Sequence, residues 1–121
     1  MLSPIELTPD EIEMYKALDK GIARAVFVLR RAGLETYESC ESGDGHCYPE
    51  PTVRFDGSQW EGFYALVVCA FHVLPVSTLR KIWTIEDGDL EGPHWEIVFW
   101  HKLEPLTDTD FQISMKGDEV R

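Results

Sequence analysis

"STLRKIWTIEDGDLEGPHWEIVFW", residues 77–100, decides how this chain folds. Both ends are rich in β-branched and aromatic residues, and a Gly-, Asp- and Pro-containing segment separates them. That pattern predicts a strand over 77–87, a turn at "GDLEGP" and a strand over 94–100, paired as a hairpin. Upstream, "LETYES" (34–39) and "TVRFD" (52–56) read as two more short strands. Four strands joined by connections of this kind predict a mostly antiparallel sheet.

Two helical patterns complete the fold. "TPDE" places Thr8 as a cap, Pro9 in the first helical position and Glu11 three residues after the cap, which is a capping box. Ile12, Tyr15, Leu18, Ile22, Ala25, Val26 and Leu29 then recur at helical spacing, and Gly33 follows Arg30 and Arg31. One helix is expected over 9–32. "QWEGFYALVVCAFHVL" (59–74) predicts a second, ended by Pro75. In it Trp60, Phe63, Val67, Ala70, Phe71 and Leu74 form the stripe expected to face the core, with Val68 and Cys69 widening it. The order α-β-β-α-β-β predicts an α+β two-layer sandwich, two helices on one face of the sheet. Residues 1–121 are expected to form a single domain. Its polar tail over 103–121 is expected to be loosely held, with "DFQISM" (110–115) as a candidate edge strand.

Composition excludes several classes. Eleven Lys and Arg against 22 Asp and Glu give a formal charge of −11. A duplex or RNA partner requires a basic face, so direct nucleic-acid binding is not expected. "LSPIELTPDE" after Met1 has neither a basic nor an apolar leader region. No apolar run reaches the roughly 18 residues of a membrane span. Three cysteines, an odd number, read as reduced thiols in a cytoplasm.

The chemistry-bearing residues concentrate in "SCESGDGHCYPE" (39–50). Cys40, His46 and Cys47 are zinc-type ligands, but Cys40 and Cys47 do not have paired zinc-ligand spacing. A fourth ligand would have to come through the fold from Cys69, His72, His94 or His101. Asp44, Gly45 and Glu50 do not match a calcium loop. No metal and no cofactor is therefore expected. Cys40 with His46 could form a thiol active site, yet Glu38, Glu41 and Asp44 oppose a thiolate there. A third reading is a ligand or partner loop that displays Ser39, Cys40, Glu41, His46 and Glu50 beside Arg54. A fourth is a purely structural connection in which those groups satisfy backbone donors. Strand alternation places Val53 and Phe55 toward the helices and Arg54 on the opposite face, with Glu38 as its carboxylate partner. His72 reads as a satisfied, partly buried residue. Trp83, Trp95 and Trp100 read as cross-strand packing, and Glu86, Asp87, Asp89 and Glu91 as a solvated hairpin tip.

Gly33, Leu34 and Thr36, followed by "SCESGDGHCYPEPTVRF" and Gly57, resemble the pattern of a group of small uncharacterised bacterial and phage proteins. "LPVSTLRKIW" and "GPHWEIVF" extend the resemblance over roughly residues 10 to 100. It implies kinship, brings no assigned activity, and marks Ser39, Cys40, Glu41, His46, Glu50 and Arg54 as the matching polar positions. Two departures stand out: Ser42 occupies a glycine position of that pattern, and Cys47 is a local addition. "TYESC" also has a fainter similarity to the Ser-Cys turn of tRNA wybutosine-synthesis methyltransferases, whose glycine is absent here.

The favoured reading is a small acidic cytoplasmic or phage-encoded binding protein that uses the 39–50 loop, with Arg54 beside it, for a small molecule or a protein partner. The alternatives are a Cys40/His46 enzyme and an acidic inhibitor of a nucleic-acid-binding protein, its carboxylates standing in for phosphates. The residues name no reaction and leave the oligomeric state open.

Overall fold

The computed structural model describes residues 7–45 and 48–116, with side chains to residue 112. Eight elements follow one another: α1 (Pro9–Ala17), α2 (Lys20–Arg31), β1 (Glu35–Cys40), β2 (Thr52–Asp56), α3 (Gln59–Phe71), β3 (Val76–Glu86), β4 (Asp89–Phe99) and α4 (Asp108–Lys116). The fold is α+β, and its four strands form one antiparallel sheet in the order β1-β2-β4-β3. The expected element order therefore gains a second N-terminal helix and a C-terminal one. None of the helices in the described residues is long and apolar enough to cross a membrane.

The single helix expected over 9–32 is two helices. The Thr8–Glu11 capping box starts α1 as read, with reciprocal bonds of 3.0 and 3.2 Å. Leu18 then turns extended and Asp19 becomes the N-cap of α2. The break lets Tyr15 of α1 fold back on Phe27 of α2, ring edge to face at 5.1 Å. Gly21, on the first turn of α2, is held tightly from outside the helix. Its N–H donates to Glu41 Oε1 at 2.8 Å and its carbonyl accepts from Leu103 N at 2.7 Å. A side chain there would meet Glu41 and Lys102 within about 3 Å, so glycine is required by close approach.

Ile22, Ala25, Val26 and Leu29 of α2 pack with Val53, Phe55, Ile97 and Phe99 of β2 and β4, and Ala65, Val68 and Cys69 of α3 join the same core. The segment after β4 is not an edge strand. Leu103 and Phe111 are buried, and "DFQISM" lies within α4, where Phe111 meets Tyr15 and Phe27. Thr107 and Asp110 bond each other's backbone N–H groups, which is a capping arrangement for α4. Arg24 Nη2 reaches Asp110 Oδ2 at 3.1 Å and ties α4 to α2.

Two further expectations are corrected. The hairpin turn is not "GDLEGP" but Asp87–Gly88 alone. Both have positive φ, and Glu86 pairs with Asp89 directly across it, as a type I′ loop demands. In α3 the buried face is Gly62, Ala65, Val68 and Cys69. Leu74 packs against the core, and Val68 and Cys69 are buried as expected, but the rest of the expected stripe points away: Trp60 is 68 % exposed and Val67 63 %, and Phe63, Ala70 and Phe71 are exposed as well. Trp95 explains the choice. Its indole N–H donates to Gly57 O and Ser58 O at the start of α3, and its ring lies directly against Gly62, where a Cβ would collide with it. Of the three tryptophans read as cross-strand packing, only Trp95 is buried; Trp83 and Trp100 are exposed.

Candidate functional site at the edge of the sheet

Alternation along β2 sends Val53 and Phe55 into the core and Arg54 to the other face. On that face the register aligns one residue from each strand: Glu38 opposite Arg54, Arg54 opposite Glu96, and Glu96 opposite Arg80. The charges alternate across the whole sheet. Arg54 Nε lies 3.0 Å from Glu96 Oε2, and Arg80 Nε lies 2.8 Å from Glu96 Oε1. Arg54 Nη1 stands 3.5 Å from Glu38 Oε1. The expected Glu38 partner is present, and Glu96 is the closer one. The Glu96 side chain is only 7 % exposed, so its charge is matched by two guanidinium groups where water barely reaches.

The loop after β1 returns over this row. The Tyr48 ring sits 5.1 Å from the Arg54 guanidinium, and Tyr48 is hydrogen-bonded to Glu38. Burial, then that bond, push the Tyr48 phenol well above its ordinary range. Burial opposes the charge on Arg54, but the hydrogen bond to Glu96, with Tyr48 and Glu38 nearby, more than offsets it and holds the guanidinium protonated. Thr52, Val98 and Cys40 are buried as well. Toward the other end of the row, His94 Nδ1 lies 2.7 Å from Asp56 Oδ1, and the Tyr37 ring meets the imidazole edge-on at 5.4 Å. Burial raises the Tyr37 phenol, against the charge of Arg54 and with the help of the nearby Asp56 and Glu38 carboxylates.

The residues singled out in the sequence are not brought together into one pocket. Cys40 is buried opposite Thr52 at the end of β1. Glu41 faces the start of α2: besides accepting from Gly21 N–H it stands 3.8 Å from Lys102 Nζ, so it acts as an external cap on that helix. Glu50 is exposed, and its carbonyl accepts from Thr52 Oγ1 at 2.7 Å. His46 and Cys47 lie outside the described residues. Among the described residues no three His, Cys, Asp or Glu side chains gather as a metal site. Ser42 adopts a φ of 78°, the left-handed region, which is the physical reason its position suits glycine.

Of the predicted residues, Ser39 lines a cavity. A cleft of about 450 Å³ runs between β1 and the first two helices, bounded by Met14, Leu18, Val26, Arg30, Thr36, Tyr37, Glu38 and Ser39. A second, of about 470 Å³, is bounded by Arg30, Gly33, Leu34, Glu35, Thr36, Tyr37 and Asp56. Both share Arg30, Thr36 and Tyr37. The Arg30 guanidinium spans them, donating to the Thr36 carbonyl at 3.1 Å. Tyr37 lines both clefts and also meets His94, whose partner Asp56 bounds the second cleft. Sequence reading gives no site role to Arg30 or Tyr37 and weighs His94 only as a distant fourth metal ligand. Arg30 had been assigned to a helix end, and the β1 irregularity that redirects Tyr37 between Thr36 and Glu38 has no local signature.

No family model matches the chain, and no curated protein or solved structure matches it.

Proposed function

We propose that this chain is a small binding protein whose ligand sits in the clefts along β1, around Tyr37 and Arg30, rather than on the 39–50 loop itself. The observation that carries the reading is the pair of clefts that share Arg30, Thr36 and Tyr37. Their size falls in the range of small-molecule sites, about 300–1,000 Å³. Met14, Leu18 and Val26 offer an apolar wall to one of them, while Arg30, Thr36, Ser39 and Tyr37 offer hydrogen bonds. The ligand class that fits is a small molecule with an apolar body and an acceptor group, such as a carboxylate, directed at Arg30. Strand addition along β1 fits less well, because the strand is irregular at Thr36–Glu38 and Arg30 already holds the Thr36 carbonyl.

On this reading the loop and the charge row build the rim. Arg54 and Tyr48 fix Glu38, and Glu41 fixes α2 against the loop. A panel of alkyl and aryl carboxylates, titrated into isotope-labelled protein and followed by amide shifts, tests it. Saturable shifts should centre on Arg30, Thr36 and Tyr37 and vanish in Tyr37→Ala. Shifts confined to residues 41–50, or hits unaffected by Tyr37→Ala, would sink this site.

A further inference from the structure

We propose that the outer face of α3 is the two-fold interface of a homodimer. Trp60, Phe63, Val67 and Phe71 follow one another at helical spacing along the side of α3 away from the core, with Tyr64 and Leu66 flanking them, and all are exposed. The helix carries a single charged residue, Glu61, and its carboxylate is turned back onto Ser58 in a capping box. A helix on the surface of a monomer keeps a polar outer stripe; one that is apolar all round is covered by something.

The size of the patch fits a second copy. These six side chains leave roughly 700 Å² in view, above the roughly 300–600 Å² of the largest patch on a typical monomer and near the ~800 Å² each partner contributes to a standard interface. Two of the aromatic side chains already pack on each other: Trp60 and Phe63 meet edge to face at 6.3 Å. Such rigid aromatic groups are the usual anchors of an interface core.

Charge selects among the occupants. The chain carries −11 overall, which repels an anionic lipid surface. To a basic partner α3 itself offers only the Glu61 carboxylate, which is already engaged with Ser58. Two copies that meet through the apolar stripe bring none of its own side chains into like-charge contact, since the stripe carries no charge. The stripe is self-complementary under a two-fold axis crossing near Val67, which sits midway along it. The face lies on the opposite side of the core from the Arg54 row and is independent of the β1 clefts.

Sedimentation velocity and light scattering of the full chain over a wide concentration range test the proposal. The expected result is a concentration-dependent rise from the 13.9 kDa monomer to twice that mass. Val67→Glu should weaken the dimer at least about 100-fold, which corresponds to the loss of a central hot spot, while far-ultraviolet dichroism stays unchanged. If that variant does not fold, Phe63→Ser serves as the milder probe and should shift the dissociation constant in the same direction. A wild-type chain that stays monomeric overturns the proposal, as does a dimer that ignores both substitutions. A monomer that floats with phosphatidylcholine–phosphatidylglycerol vesicles overturns it too, because the occupant is then lipid.

Discussion

Replacing Arg54 with methionine removes the centre of the charge row, and the structure sets the size of the effect. In the folded chain Glu96 has one oxygen on Arg54 and the other on Arg80. The two arginines are not equivalent: the Arg80 side chain is 58 % exposed, while that of Arg54 is sheltered beneath Tyr48. Without Arg54, Oε2 of a nearly buried carboxylate loses its donor at 3.0 Å. A hydrogen bond to a charged group is worth about 1.5–3 kcal/mol, and breaking a buried pair from one side costs about 3–5 kcal/mol. The half-exposed contact with Glu38 adds at most about 1 kcal/mol. Methionine keeps apolar contact with the sheet, and Arg80 retains half of the pairing, so the loss should lie near the lower figure, about 2–4 kcal/mol. In a domain of this size that lowers the melting temperature by roughly 10 °C. Urea and thermal melts at neutral pH measure it. Arg54→Met combined with Glu96→Gln should be less destabilised than the two single losses added together, because the stranded charge is then gone. A loss below about 0.5 kcal/mol, or strict additivity in the double variant, would refute the view that Glu96 depends on Arg54.

Four other substitutions or conditions follow from the same contacts. Ser42→Gly relieves a left-handed φ of 78° and should raise stability by up to about 1 kcal/mol in urea melts. Val73→Gly should do the same at the end of α3, where a β-branched residue is held at φ 56° between the Cys69 and Ala70 carbonyl bonds. Glu41→Gln should cost about 0.5–1 kcal/mol in urea melts by weakening the external cap on α2. Burial first, then the charges of Arg31 and Arg24, hold His72 below its ordinary pKa. The folded chain therefore disfavours the imidazolium. That stability is complete above about pH 6.5 and declines as pH falls below it; His72→Gln should flatten the decline between neutral pH and pH 5 in urea melts.

Much of this architecture is readable from residue order alone, because the signals are local. Alternation along "TVRFD" puts Arg54 opposite the core side without any knowledge of its partners. β1 and β2 fall within a residue or so of their expected bounds. Caps are local as well, yet they compete with stronger patterns. Thr8–Glu11, Ser58–Glu61 and Thr107–Asp110 are the same device, but only the first is read from the sequence; the second is hidden in a turn signal, and the third lies in a polar segment with no helical apolar stripe. The break at Leu18–Asp19 failed for the opposite reason. The apolar period runs through it unbroken, and what interrupts the helix is a distant carboxylate, Glu41, that reaches Gly21 from the far side of β1. The site residues scattered for a related cause. Glu41, Cys40 and Arg54 are polar or reactive in sequence, but each is consumed by a partner or by burial that only the fold supplies.

The face of α3 is the instructive case. Apolar residues surround the helix, so periodicity has no polar stripe from which to choose an orientation. Side-chain volume does choose. Gly62, Ala65 and Cys69 make a narrow, small-residue strip, and only that strip lets the helix descend onto Trp95. Trp95 cannot yield, since its N–H is fixed to the carbonyls that lead into α3. Turning the helix to bury Trp60 and Phe63 would leave the indole without room and without a bond. The core therefore takes the small side of α3 and closes tightly, burying the Cys69 thiol so completely that its pKa is pushed up to about 12. The same closure forces the large aromatic side chains outward. Their exposure is a consequence of how the monomer packs, and a second copy of the same face is the simplest surface that removes them from water.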